Sequence, residues 1–397
     1  MATRCDRIST GHDERSTPRV ERDGDVWHIR SAETARQILR ERDATTQAGF
    51  TAEAILDNIK EAPILFMDGE PHRKQRAKVA RYFAPKTVAT RYRDLIATRV
   101  DALMDAMIAA ETVTLDKITL RLSVDVASQV IGLTESDMDA MARRLERFFD
   151  QPPFDLTQPG LGRSRFQTLR AALTGNLPVF WFYARDVRPA IRERRRERQE
   201  DVISHLIDEG YSDAGIVMEC ITYGAAGMVT TREFISMCVL HFLRNDALRG
   251  RFVVAEEAER MAILGEILRL EPVVGHLYRR TQRELEVSDG DTTHTIPAGA
   301  LLDLALRQTN ADPRIVGEEP DAVCPGRDLP RGYGAEMMSF GDGAHKCPGN
   351  ALALQETDLF LRRLFSHRVR LVQEPRLEWD EIVAGYALRD FEIAVDA

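Results

Sequence analysis

Apolar residues along the 397-residue chain recur mainly at the three-and-four spacing of amphipathic helices. Runs of this kind cover 72–83, 88–110, 135–149, 188–208, 213–244, 255–270 and 350–366. Period-two alternation is confined to short pieces. Residues 20–29, folded about Asp23-Gly24-Asp25, read as a hairpin, and further strands are expected at 285–287, 295–296 and 391–395. Many helices with a minor strand component predict a mostly α, α+β fold. No repeat or low-complexity linker divides the chain. Residues 20–397 are therefore expected to form a single large domain, and the polar residues 1–19 to be disordered.

Composition narrows the function. A hydrophobic content of 44% and a charged content of 29% are those of a globular chain with a real core. No stretch approaches the roughly 18 consecutive apolar residues of a membrane span. The first twenty residues read as neither signal peptide nor anchor, so a cytoplasmic protein without membrane contact is expected. The net charge of −9 argues against a nucleic-acid partner. Five cysteines, odd in number and without a Cys-x-x-Cys pair, disfavour a disulfide framework or a structural zinc site.

The strongest local signal is Ser339-Phe340-Gly341-Asp342-Gly343-Ala344-His345-Lys346-Cys347-Pro348-Gly349. Gly341 and Gly343 permit a tight turn that approaches a flat ring without a Cβ in the way. Cys347 stands just before a helix whose first amides, Gly349 and Asn350, have no intrahelical partner and are free to point at sulfur. Those amides and the helix dipole favour a thiolate able to ligate iron. A competing reading is a small buried cysteine at a glycine-rich turn. A nucleophilic Cys347 assisted by His345 is disfavoured, because residues two apart seldom bring thiol and imidazole into contact.

With its neighbours along the chain, this loop resembles the cysteine loop of the cytochrome P450 family, through Phe340, Gly343, His345, Cys347 and Gly349. Glu266 and Arg269 resemble the family's Glu-x-x-Arg pair, and Arg327 its third, arginine member; residues three apart share a helix face and can pair. Val323 stands where the family carries an aromatic, so looser packing is expected there. His72 and Arg76 resemble the family's His-x-x-x-Arg element. Arg279, after Pro272-Val273-Val274, resembles a further arginine facing a haem propionate. Gly224-Ala225-Ala226-Gly227-Met228-Val229-Thr230-Thr231 resembles the oxygen-binding groove, with Val229 in place of the usual acid. Thr230 can bond back to the carbonyl of Ala226 and open the helix locally.

The resemblance implies a haem-thiolate monooxygenase containing haem b. Cys347 would be the iron ligand, with His72, Arg76, Arg279, Phe340, His345 and Gly349 around the cofactor. Ala226, Gly227 and Thr230 would form the catalytic groove, and Glu266, Arg269 and Arg327 a buried structural network. Substrate contacts are expected from 47–65, the aromatic and proline-interrupted 148–183, 225–230, 273–277 and 384–388, and a small apolar or amphipathic substrate follows. Lys74, Lys78, Arg81 and Lys346 would offer a basic patch to a ferredoxin or flavodoxin. Arg192–198 reads instead as a solvated helix face. The valine keeps atypical chemistry open, such as peroxide-driven oxidation, ring coupling or dehydration, as does a non-catalytic haem-binding role.

Overall fold

The computed structural model describes residues 5–10, 15–49, 61–149, 162–380 and 382–396. Its longer helices are α1 (Ala32–Arg40), α2 (Gly69–Phe83), α3 (Arg93–Ala109), α4 (Leu115–Ile131), α5 (Met138–Phe149), α6 (Arg165–Phe182) and α7 (Arg188–Arg196). They continue with α8 (Val202–Asp208), α9 (Asp213–Gly224), α10 (Thr230–Arg244), α11 (Asp246–Val254), α12 (Glu257–Leu270) and α13 (Asn350–Leu364). A sheet of β1 (Val20–Asp23), β2 (Val26–Ile29), β3 (Thr45–Ala48), β5 (His276–Thr281) and β8 (Leu301–Ala305) runs in the order β1-β2-β8-β5-β3. Smaller sheets join β4 (Thr112–Thr114), β12 (Glu392–Asp396) and β9 (Arg368–Gln373), pair β10 (Arg376–Asp380) with β11 (Gly385–Arg389), and pair β6 (Leu285–Asp289) with β7 (Thr292–Ile296). The mostly α, α+β expectation is met.

The hairpin forms where the alternation placed it. Asp23 pairs with Val26 across a turn in which Gly24 takes φ +59°. Helix α10 lies at the centre: every residue from Thr231 to Phe242 is buried. A helix buried on all sides must pair its charges. Arg232 does so with Glu233 (2.7 Å) and Glu146 (2.9 Å), and Glu233 with Arg389 (2.7 Å).

Four expectations are corrected. The run 188–208 is two helices, because Asp201 leaves the helix to cap α8 and takes Arg194 as its partner at 2.5 Å. Arg194 is thus buried, although Arg192–198 reads as a solvated face. The N-terminal segment is not loose where it is described. Arg7 donates to the carbonyls of Leu270 and Arg307, both at 3.1 Å, and Ser9 N donates to Glu271 at 3.2 Å. Val323, expected to pack loosely, is buried and donates its amide to the Cys5 carbonyl at 2.8 Å. Most of 47–65 and of the proline-interrupted stretch before α6, including Phe154, lies outside the described residues. Among the described residues, no helix is long and apolar enough to cross a membrane.

Candidate active site

The cysteine loop is shaped by its glycines and anchored from two sides. Gly341 and Gly343 take φ +69° and +68°. A Cβ on Gly343 would stand 2.0 Å from the carbonyl oxygen of Leu39, so only glycine fits. Asp342 accepts from Arg36 (3.0 Å) and Arg40 (2.9 Å) of α1. Cys347 N closes the loop on the Phe340 carbonyl at 2.8 Å, and Phe340 packs on the main core. Gly343→Ala should therefore displace the loop and weaken cofactor retention. Left-handed strain alone costs about 1–3 kcal/mol, read as a lower midpoint in urea and a lower haem-to-protein absorbance ratio.

On the other side stands the predicted network. Arg269 gives two bonds to Glu266, Nε to Oε2 at 2.8 Å and a second nitrogen to Oε1 at 2.9 Å. Arg327 Nε reaches Oε1 at 3.0 Å. A residue that no sequence pattern signals, Asn310, couples this network to the loop. Its carbonyl accepts from Arg269 (2.8 Å), while its side chain accepts from Met338 N (3.0 Å) and donates to the Ser339 hydroxyl (2.8 Å).

The structure brings His72, Arg76, Arg279 and His345 together. His72 and His345 stack with ring centroids 4.1 Å apart, and His345 Nε2 lies 3.0 Å from Asp68. Arg76 donates to the Lys346 carbonyl. Arg279, buried on β5, makes a bond to the carbonyl of Tyr278 at 2.7 Å. Burial pulls its guanidinium down to about 10, with Asp68 opposing. Burial, then the neighbouring His345 and Arg76, pulls His72 down to about 4. Asp68, which the motif reading passed over, is the carboxylate facing His72, Arg279 and His345; it also accepts from Gln47 N at 2.9 Å.

At Cys347, burial pushes the thiol above its ordinary value, and the amides of Gly349 and Asn350 with Arg76 and Lys346 draw it back only in part. The amides lower the thiol value as expected, but they do not offset its burial. A cation bound directly to sulfur deprotonates it outright.

The groove has its expected form. Ala225–Val229 is a single π-turn, and Thr230 Oγ1 donates to the Ala226 carbonyl at 2.5 Å. In this segment Met228 and Val229 are buried, whereas Ala226 is exposed and Gly227 and Thr230 are half-exposed. A Cβ on Gly227 would meet nothing within 4 Å. These residues suit a haem: open space along the groove, a soft sulfur ligand needing a metal, and more buried cation than carboxylate, as two propionates require.

The predicted basic patch is exposed but engaged. Lys74 pairs with Glu70 at 2.7 Å, Lys78 pairs with Glu209, Arg81 donates to Tyr82 Oη at 2.6 Å, and Lys346 lies 3.7 Å from Glu336. Of the aromatic segment, Phe180 and Trp181 are exposed on α6 and Phe182 is fully buried.

Residues 261–376 match the family model for cytochrome P450. The erythromycin C-12 hydroxylase of Saccharopolyspora erythraea is 25% identical over 91% of this chain and 87% of its own length. The mycinamicin VIII C21 methyl hydroxylase of Micromonospora griseorubida is 26% identical over 88% of this chain and 85% of its own. A mutant of P450 EryK solved in complex with erythromycin B superposes with a TM-score of 0.78 at 23% identity, covering 96% of this chain and 94% of that one. Together these matches support a cytochrome P450. It is an oxidoreductase of the monooxygenase type whose cofactor is a haem iron.

Proposed function

We propose that the protein holds haem b through Cys347 and hydroxylates a small apolar or amphipathic substrate in specialised metabolism. When bound, the haem iron supplies the activation of O₂, one atom of which enters the substrate. The chain's own residues do the rest. His72, Arg76, Arg279 and His345 hold the propionates; the guanidinium groups of Arg76 and Arg279 supply the positive charge that favours carboxylates there, and His72, neutral because of its lowered value, can donate a hydrogen bond. Phe340 shields the sulfur. Ala226 and Gly227 leave room beside the helix for O₂ and substrate, and the Thr230 hydroxyl, turned back onto the Ala226 carbonyl, positions a water for proton delivery. The hydroxylases of erythromycin and mycinamicin among the relatives support the reaction type and the setting.

Electrons would come from a ferredoxin or flavodoxin in the cytoplasm, docking on Lys74, Lys78, Arg81 and Lys346. These side chains lie on or beside the face of α2 away from His72, and freeing them from surface pairs costs little, about 0–1 kcal/mol each.

The observation that carries the reading is Cys347, a thiol raised by burial yet faced by two amides and Arg76. The ferrous–CO complex should show the long-wavelength Soret band of a thiolate-ligated haem. Cys347→Ala and Cys347→His should abolish it, while Cys220→Ala, Cys238→Ala and Cys324→Ala retain it. A wild-type band typical of imidazole ligation would sink the assignment.

A further inference from the structure

Away from the haem site, a second group of reactive side chains is assembled from three distant parts of the chain. Cys5 Sγ lies 3.2 Å from His241 Nδ1. On the far side of the same ring, His241 Nε2 lies 3.4 Å from Oε1 of Glu271. His241 is in the last turn of α10 and Glu271 directly follows α12, and both side chains are wholly buried. Glu271 is held in turn by the amides of Ile8 and Ser9 and by the Ser9 hydroxyl. A thiol within hydrogen-bond reach of an imidazole, with a carboxylate at ion-pair distance from the same ring, is an arrangement that favours a nucleophilic thiolate. The haem chemistry uses none of the three.

We propose that Cys5 is a covalent modification site, activated by His241 and Glu271 to react with small disulfides, and that its modification releases the N-terminal segment from the body of the protein. Among the described residues, the neighbouring polar groups have partners of their own. Arg307 donates to the Ser9 hydroxyl (2.7 Å), Arg7 donates to main-chain carbonyls and lies 3.6 Å from Asp321, and Tyr386 Oη donates to the Glu271 carbonyl at 3.2 Å. Cys238, one turn earlier on α10, is fully buried, and burial holds it well above its ordinary value. Burial opposes charge on His241, but Cys5 and Glu271 outweigh it and raise the imidazole to about 9.

The thiol gives up its proton to solvent beside the protonated imidazole, whose Nδ1–H stabilises the thiolate, and Sγ attacks one sulfur of the small disulfide. A new S–S bond forms, the disulfide's own S–S bond breaks, and the departing thiolate leaves with the electron pair. Cys5 is oxidised and the small disulfide reduced. The adduct occupies the space between Cys5 and His241. The neighbouring latch consists of the Cys5 carbonyl on Val323 N (2.8 Å) and the Asp6–Ala322 bridge, and it must then open.

The test is titration of the haem-loaded protein with dithiobis(nitrobenzoate), mapping adducts by mass. Cys324, also half-buried, is the internal reference. Cys5 should be labelled at least about tenfold faster than Cys324. His241→Gln should slow it by a similar factor. Equal labelling of the two thiols would overturn the activation. The ratio of Cys5 to Cys324 labelling in the wild type decides this even if His241→Gln does not fold. Trypsin should cut labelled protein after Arg7 more than about tenfold faster than unlabelled protein or Cys5→Ser, since cleavage follows the open population. Equal cleavage would overturn the release.

Discussion

Glu266→Ala should give protein that is largely insoluble or free of haem, the largest loss expected from any single change outside Cys347. The carboxylate is 1% exposed and accepts from Arg269, from Arg327 and from Cys324 N at 3.0 Å. Removing it leaves two buried guanidinium groups without their counter-charge, at roughly 3–5 kcal/mol. That is a large share of a typical total stability of about 5–15 kcal/mol. The damage is not local, because Arg269 also binds the carbonyl of Asn310, whose side chain holds Met338 and Ser339 ahead of Cys347. Arg196→Ala is the control. That side chain is 79% exposed with Glu193 at 3.5 Å, so the change should stay within about 0.5 kcal/mol. Soluble yield, haem-to-protein absorbance and the urea midpoint measure both variants. Normal haem content in Glu266→Ala would contradict the role given to the network.

What the sequence made legible follows from where the information is local. Helical periodicity found α2, α3, α5, α12 and α13 because one face of each meets the core. The cysteine loop was legible because its chemistry needs glycine, histidine and cysteine at fixed spacing. The Thr230 back-bond to Ala226 was legible for the same reason, being an interaction four residues apart. The misreadings concern partners distant in space or off the helical period. Arg194 and Asp201 are seven residues apart across a helix break, so no periodicity joins them, and the arginine-rich run reads as solvated. Residues 5–10 are polar and look loose, yet their polar groups are the partners of Glu271 and Arg307, some 260 to 300 residues away. Asn310 and Asp68 have no motif at all. Their roles exist only once β5, α2 and the cysteine loop are assembled.

Thr230→Ala should retain haem and go on consuming reductant, but product formation should fall and hydrogen peroxide should rise. The hydroxyl is the one side-chain group of the groove segment Ala226–Thr230 that can hold a proton-delivering water. Positioned proton-transfer groups contribute about 10²–10⁴-fold, and a loss near the low end is expected because water itself remains. Thr230→Ser should recover most of the coupling, since it keeps the oxygen and the bond to the Ala226 carbonyl. Val229 sharpens the argument. It stands where the resemblance implies an acid, but it is 2% exposed and belongs to the main core, whereas Ala226 and Thr230 are accessible. An aspartate there would be buried as an unpaired charge. Val229→Asp is therefore expected to destabilise the fold, by at least about 1–3 kcal/mol, and not to improve coupling. The ratio of product to reductant, the peroxide yield and the urea midpoint distinguish the cases. Full coupling in Thr230→Ala would eliminate the threonine route and leave the substrate's own hydroxyl or carboxyl as the proton source. Better coupling in Val229→Asp would show that position 229 reaches the groove after all.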